Sequence, residues 1–190
     1  MAEGGVREHR RGRRWAMKAL YMWDARGGGA PEALVEEARR MEAAPGAMEE
    51  GTADAQPERE AGREAAARFA RALTAGAIER VAVIDGLLDS LAPAWGPSRM
   101  AAVDRAVLRL GCYELMYGDT PEGVAVSEAV ELARAYSTAD SPRFVNGVLG
   151  AVAPRRPARA GAPEARHARA PGAPGATDKP PTLARRGEPG

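Results

Sequence analysis

Apolar residues along most of this chain recur at every third or fourth position, which is the spacing of an α-helix. No stretch alternates apolar and polar residues for long, and β-branched and aromatic residues are sparse, so strands are not expected. The pattern predicts helical segments at 10–26, 31–44, 58–91, 98–117, 124–136 and 142–152. Because glycines can split the long third segment, we predict an all-α domain, a compact bundle of six or seven helices.

The segment at 98–117 is predicted to lie at the centre of the bundle, because its apolar residues cover more than one face of the helix. These residues are Val103, Val107, Leu108, Leu110, Cys112 and Leu115. Cys112 is interpreted as a small core residue. It is the single cysteine of the chain, which excludes a disulfide within the chain and is typical of a protein of the reducing cytosol.

The helical pattern stops at both ends of the chain. Residues 151–190 hold eight Pro, five Gly and eleven Ala. Such a composition buries too little apolar surface to offset the entropy lost on ordering. The predicted organisation is a flexible N-terminus at 1–9, a helical domain at 10–153 and a disordered, basic Pro/Ala-rich tail at 154–190.

The first predicted helix has two opposed faces when its residues are placed about 100° apart. The apolar face holds Trp15, Ala16, Ala19, Leu20 and Trp23. The opposite face holds Arg10, Arg14, Met17 and Tyr21, with Arg11, Arg13 and Lys18 at its flanks. We therefore expect the helix to bury its tryptophans and to expose its arginines and its tyrosine.

Such a basic face with an aromatic ring is typical of a surface that binds single-stranded RNA. Guanidinium groups form forked hydrogen bonds with phosphate oxygens, and an adjacent ring offers a surface on which a base stacks. Two other interpretations stay open on the periodicity alone. One is an amphipathic helix whose basic face is merely solvated, and the other is a cationic targeting helix.

Charge is distributed unevenly along the chain. The net charge is +1, but residues 1–20 carry +4, residues 21–150 carry −8 and residues 151–190 carry +5. Basic flanks on an acidic body are expected of a protein whose partner carries phosphates. Most of the 27 basic residues are Arg in a chain rich in Ala, Gly and Pro, so a compositional bias explains part of this excess. The positions of the arginines are therefore the stronger evidence.

Other functional classes lack the residues that they need. The longest charge-free apolar run, at 147–153, is far too short to cross a membrane. The two histidines, His9 and His167, lie in the flanks, so no Cys/His zinc site is expected. The sequence contains neither a G-x-x-x-x-G-K-[ST] phosphate loop nor a G-x-S-x-G nucleophile turn. We therefore expect no catalysis, no metal, no cofactor and no membrane partner.

Three stretches of the sequence carry a specific combination of motifs. They are RRGRRWAMKALYMWD in the first helix, RMAAVDRAVLRLGCYELMY in the central one, and VAVSEAVELARAYSTADSPRFVNGVLGAVA across the last two. In this combination, the chain from Arg10 to Ala153 resembles the NusB family of bacterial transcription antitermination factors. Gly12, which interrupts the arginine run, and Trp15, which stands where smaller residues are common, depart from the family pattern.

The resemblance implies an all-helical fold of two packed helical subdomains. Members of this family bind the boxA element of nascent ribosomal RNA together with NusE, a small-subunit ribosomal protein, and help RNA polymerase to read through terminators. The resemblance thus implies a cytoplasmic RNA-binding factor whose partners are single-stranded boxA RNA, NusE and the transcription elongation complex. A helical scaffold or homodimer, and a factor for ribosomal RNA folding that uses the same basic face, remain alternatives.

The resemblance also implies which residues form the binding sites. The RNA-contacting arginines and tyrosine of the family correspond here to Arg10, Arg11, Arg13, Arg14 and Tyr21. Phe144 and Asp140 correspond to residues near the same RNA-binding surface. Asp104 corresponds to a residue on the NusE-facing side, and Arg105 beside it is assigned to the same interface.

Overall fold

Every stretch with helical periodicity forms a helix in the computed structural model, which describes residues 2–42, 56–92 and 96–155. Within these ranges the chain forms α-helices and two short 3-10 turns, and no strand. The helices are α1 (Ala2–Arg26), α2 (Pro31–Glu42), α3 (Gln56–Glu79), α4 (Val81–Leu91), α5 (Ala102–Tyr117), α6 (Glu122–Tyr136) and α7 (Ser141–Val152). The prediction of an all-α bundle is confirmed. From residue 156 onward, the predicted disordered tail lies outside the described residues.

Some predicted helix boundaries are wrong. Helix α5 begins at Ala102 and not at residue 98, and Pro97–Arg99 form a separate 3-10 turn. Helix α1 begins at Ala2, not at residue 10, and its added turns have a tertiary partner: the ring of His9 lies 4.5 Å from that of Phe69 on α3. The long third segment does divide, as its glycines indicated, but the break lies at Arg80, between Gly76 and Gly86, and not at either glycine. The contact of His9 with Phe69 lies between two helices, and periodicity does not report such contacts.

Helix α5 lies at the centre of the bundle, as predicted. Val107, Leu108, Cys112 and Leu115 are fully buried. Burial raises the pKa of the Cys112 thiol to about 12, and the nearby charge of Asp85 contributes a smaller part of the rise. The thiol is therefore a neutral core group, which confirms its interpretation as a packing residue.

The helices form two groups that meet at α5. Helices α1, α2 and α3 pack against one another, α5 packs against α4, α6 and α7, and α5 also contacts α1 and α3. At Gly12, α1 and α3 approach so closely that an added Cβ would lie 2.8 Å from the backbone oxygen of Ala66. This contact explains why glycine interrupts the arginine run, since a larger residue there would push the two helices apart.

A network of charged residues fastens the C-terminal end of α1 to α5. Asp24 accepts hydrogen bonds from both Arg105 and Arg109, the latter at 2.8 Å, and Arg109 also forms a bidentate pair with Asp85 on α4. Partial burial would by itself raise the pKa of Asp24, but the hydrogen bonds from Arg109 and Arg105 outweigh it and hold that pKa below its ordinary value. The network therefore stays charged at neutral pH and fixes α1 against the rest of the bundle.

Candidate nucleic-acid interface

Helix α1 presents the two faces that its sequence predicts. Trp15, Ala16, Ala19 and Leu20 are at most 1% exposed, and Trp23 is half-buried against the core. On the other side, the side chain of Arg10 is 60% exposed and Tyr21 is 42% exposed. The predicted division into an apolar and a basic face is confirmed for these residues.

Two residues predicted for the basic side of α1 are buried instead. Met17 is 2% exposed and Arg13 is 4% exposed. Arg13 donates through Nε at 3.0 Å and Nη2 at 2.8 Å to the carboxylate of Glu114 on α5, and Thr120 donates to the same carboxylate. Because Arg13 lies on the side of α1 that faces α5, the prediction that it flanks an exposed basic surface is wrong.

Four basic residues of α1 and one tyrosine form a surface that we call the cationic face. It consists of Arg10, Arg11, Arg14, Lys18 and Tyr21. Carboxylates from two other helices border it. Arg10 Nε donates to Glu128 on α6 at 2.8 Å, and Arg14 Nη2 donates to Glu42 on α2 at 2.7 Å.

Glu42 holds several donors of α1 at one point. Its second carboxylate oxygen accepts a hydrogen bond from Nε1 of Trp15 at 2.7 Å, and Arg11 Nε lies 3.8 Å from its first. Burial alone would raise the pKa of Glu42, but the hydrogen bonds from Arg14 and Trp15 outweigh it, so the pKa lies below its ordinary value. The ionised carboxylate thus connects the buried indole to the arginines of the cationic face.

Tyr136, at the end of α6, is a candidate that the sequence analysis missed. Its ring is 40% exposed, and Nζ of Lys18 lies 5.7 Å from the ring centroid, which is a cation–π distance. Two exposed tyrosines therefore accompany the cations, Tyr21 within the cationic face and Tyr136 beside it on α6. Helical spacing does not reveal which residues of α6 lie beside α1, so the sequence offered no signal for this pair.

A second group of predicted residues lies at the start of α7. Asp104, Asp140 and Phe144 line one cavity of about 390 Å³, and Phe144 is half-buried at its edge. Asp140 is exposed at the N-terminus of α7. The structure therefore brings Asp140, Phe144 and Asp104 to one cavity, and the place of Asp140 and Phe144 on an RNA-binding surface stays a prediction.

Asp104 and Arg105 do not form a solvated pair. Asp104 is 7% exposed; its Oδ2 accepts a hydrogen bond from Ser141 at 2.9 Å, and its Oδ1 is buried without a partner among the described residues. Arg105 bonds Asp24 and the backbone oxygen of Pro97. Both side chains fix the start of α5 against neighbouring elements, and their assignment to the NusE-facing side stays a prediction.

The two groups are linked by a chain of contacts. Lys18 contacts Tyr136, and the next residue, Ser137, shares a 3.0 Å hydrogen bond with Ser141, which in turn donates to Asp104. The turn between α6 and α7 therefore connects the cationic face to the cavity beside Phe144. The cationic face offers cations and aromatic rings, and the cavity offers the exposed carboxylate of Asp140. Such a set suits a ligand with both phosphates and amino groups.

The described residues offer neither a metal site nor a membrane-spanning helix. Across the described ranges, no group of three or more His, Cys, Asp or Glu side chains is placed to hold a metal ion. No helix in these ranges has the length and apolar character needed to span a membrane.

The sequence and the fold are similar to known proteins. The chain is 43% identical over 157 residues to the transcription antitermination protein NusB of Symbiobacterium thermophilum, which covers 82% of this chain and 95% of that protein. It is 38% identical over 142 residues to the protein of the same name from Clavibacter sepedonicus, covering 74% of this chain and 92% of the relative.

Solved structures show the same fold. NusB of T. maritima superposes with a TM-score of 0.61 and 30% identity, over 78% of this chain and 92% of that one. A chain in the crystal structure of the antitermination factors NusB and NusE in complex with dsRNA superposes with a TM-score of 0.61 and 27% identity. The match covers 78% of this chain and 98% of that one. Residues 10–154 match the sequence model of the NusB family. The chain therefore belongs to the NusB family of transcription antitermination proteins.

Proposed function

We propose that this protein is a non-catalytic antitermination factor that binds the boxA element of nascent ribosomal RNA together with NusE. In this role it supports read-through by the transcription elongation complex. The similarity to a chain of a NusB–NusE complex with dsRNA supports RNA and NusE as the partners. The contacts within the present chain support α1 as the place where the RNA binds.

The exposed cationic face of α1 is the observation that carries this proposal. Arg10, Arg14 and Tyr21 lie on one side of a helix whose opposite side is packed against the core. Guanidinium groups and an exposed ring on one rigid rod bind phosphates and stack a base without a large rearrangement of the backbone.

The cavity at the start of α7 is proposed to contact bases rather than phosphates. A phosphate is repelled by the carboxylate of Asp140, whereas the amino group of a base donates a hydrogen bond to it. The ring of Phe144 at the edge of the cavity offers a stacking surface. The NusE-facing side is proposed to begin next to it, where the buried Asp104 and the half-buried Arg105 hold the start of α5 in place.

A titration at several salt concentrations tests the proposal. We expect a boxA-containing single-stranded RNA to bind more tightly than a scrambled RNA of equal length, and NusE to increase the difference. If the four cations of the cationic face each meet a phosphate, log K plotted against log[salt] has a slope of about −3 for single-stranded RNA. Fluorescence anisotropy with labelled RNA measures both quantities.

Two outcomes contradict this function. A slope near zero would show that phosphates do not meet the cationic face. Equal affinity for boxA and scrambled RNA, with NusE present, would show that no sequence is recognised. Light scattering on the same samples examines the scaffold alternative, because a homodimer that persists when RNA is bound indicates that α1 is occupied by protein instead.

We expect Tyr21→Ala to weaken boxA binding by about 1 kcal/mol, which is roughly fivefold, because the partly exposed ring loses a stacked base. Tyr117→Ala is the matched control, since that ring is similarly exposed, at 38%, and also lies under a cation, Arg80, but belongs to α5 and not to the cationic face. Anisotropy titrations of both variants check the prediction. Equal losses of affinity would contradict a stacking role for Tyr21.

A further inference from the structure

Arg10 is held to the surface of the protein in an unequal ion pair. Its side chain is 60% exposed, whereas its partner Glu128 on α6 is 13% exposed. The carboxylate is therefore fixed in the surface and the guanidinium lies on top of it. Because the carboxylate is largely shielded from water, its hold on the guanidinium is screened less than in a fully exposed pair.

The hydrogen bond between them leaves the phosphate-binding part of Arg10 open. Glu128 accepts from Nε at 2.8 Å, and among the described residues no hydrogen bond engages the two terminal nitrogens, Nη1 and Nη2. These two nitrogens form one edge of the guanidinium fork, and such an edge binds two oxygens of one phosphate. Glu128 thus restrains the side chain at one edge of the guanidinium and leaves another edge for a ligand.

We infer that Glu128 is a positioning residue for RNA: it holds Arg10 by Nε so that both terminal nitrogens point outwards to a backbone phosphate. The inference rests on the proposed function and adds to it a residue that does not itself touch RNA. An arginine already held in its bound orientation loses less conformational freedom on binding. The acidic residue therefore increases the affinity for a polyanion.

The sign of a mutational effect separates positioning from general electrostatics. Removing the carboxylate of Glu128 raises the net charge of the protein by one, and long-range attraction alone would then tighten the binding of RNA. Loss of positioning has the opposite effect, because Arg10 becomes free to sample other rotamers. A weaker complex after the removal of a negative charge is therefore specific to the positioning role.

Three variants measured against a boxA-containing RNA and a scrambled RNA provide the test. We expect Glu128→Ala to weaken the binding of both RNAs by about two- to fivefold. Glu131→Ala, one turn along α6, makes the same change of charge at a residue that pairs with Arg134 and whose charge also acts on Arg10, but that accepts no hydrogen bond from Arg10; it should bind as tightly as wild type or slightly more tightly. Glu128→Gln keeps an acceptor for Nε and should restore at least the affinity of wild type.

A double-mutant cycle shows whether Glu128 acts through Arg10. In the Arg10→Ala background, Glu128→Ala should no longer weaken binding, because the side chain that it positions is gone. Thermal melts of each variant establish that the fold is intact. The inference is overturned if Glu128→Ala binds as tightly as Glu131→Ala, or if its effect is unchanged without Arg10. If wild type itself shows no salt-dependent binding, the proposed function fails, and that result is distinct from either outcome.

Discussion

Replacing Arg13 by alanine should lower the free energy of unfolding by about 3–5 kcal/mol, the largest effect on stability that we expect from the arginines of α1. Arg13 is 4% exposed and its partner Glu114 is 2% exposed, so the variant leaves an ionised carboxylate in the core without its cation. The hydroxyl of Thr120 remains as a donor but does not balance the charge. Urea denaturation measures the loss, and the melting temperature should fall by roughly 10 °C.

Arg14→Ala is the matched control, because it makes the same substitution at the next residue of the same helix. The ion pair of Arg14 with Glu42 is partly exposed, with side chains 33% and 27% accessible, and such pairs contribute about 1 kcal/mol or less. Arg13→Ala should therefore be several times more destabilising than Arg14→Ala. If the two variants unfold at the same urea concentration, Arg13 is a surface residue, as its sequence context suggested.

Periodicity along α1 was not sufficient to separate these two arginines. It correctly assigned Trp15 and Leu20 to the core, because an apolar stripe has to face the rest of the bundle. A long basic side chain at the edge of that stripe can point either way. Arg13 is buried because Glu114, on another helix, accepts its guanidinium, and nothing within the sequence of α1 reports that partner.

The same reason explains what was right and what was missed elsewhere. The central position of α5 was predictable, since apolar residues on more than one face require neighbours on every side. The helical turns before residue 10 were not predictable from the sequence, because they carry no clear apolar stripe. The contact of His9 with Phe69 places them against α3. Tyr136 and Glu128 were missed as parts of the site because they join it from α6, through tertiary contacts alone.

The combined variant Arg10→Ala, Arg14→Ala, Lys18→Ala should bind boxA RNA about 100-fold more weakly at low salt. Each charge-assisted contact with a phosphate contributes on the order of 1 kcal/mol, and three are removed. The slope of log K against log[salt] should also become shallower by about 2, because binding with three fewer phosphate contacts releases fewer counterions. Anisotropy titrations between low and moderate salt measure both effects on the same samples.

The result locates the interface only if the effect of losing three positive charges is distinguished from the effect of where those charges lie. The variant Arg40→Ala, Arg68→Ala, Arg80→Ala removes an equal number of charges from exposed residues of α2, α3 and the junction between α3 and α4. Because these residues lie outside the cationic face, it should weaken binding by about two- to threefold through long-range attraction alone. Equal losses in the two variants would mean that RNA is held by the overall charge of the protein. A much larger loss in the first variant locates the transcript along α1, because the two variants remove equal numbers of positive charges from different surfaces.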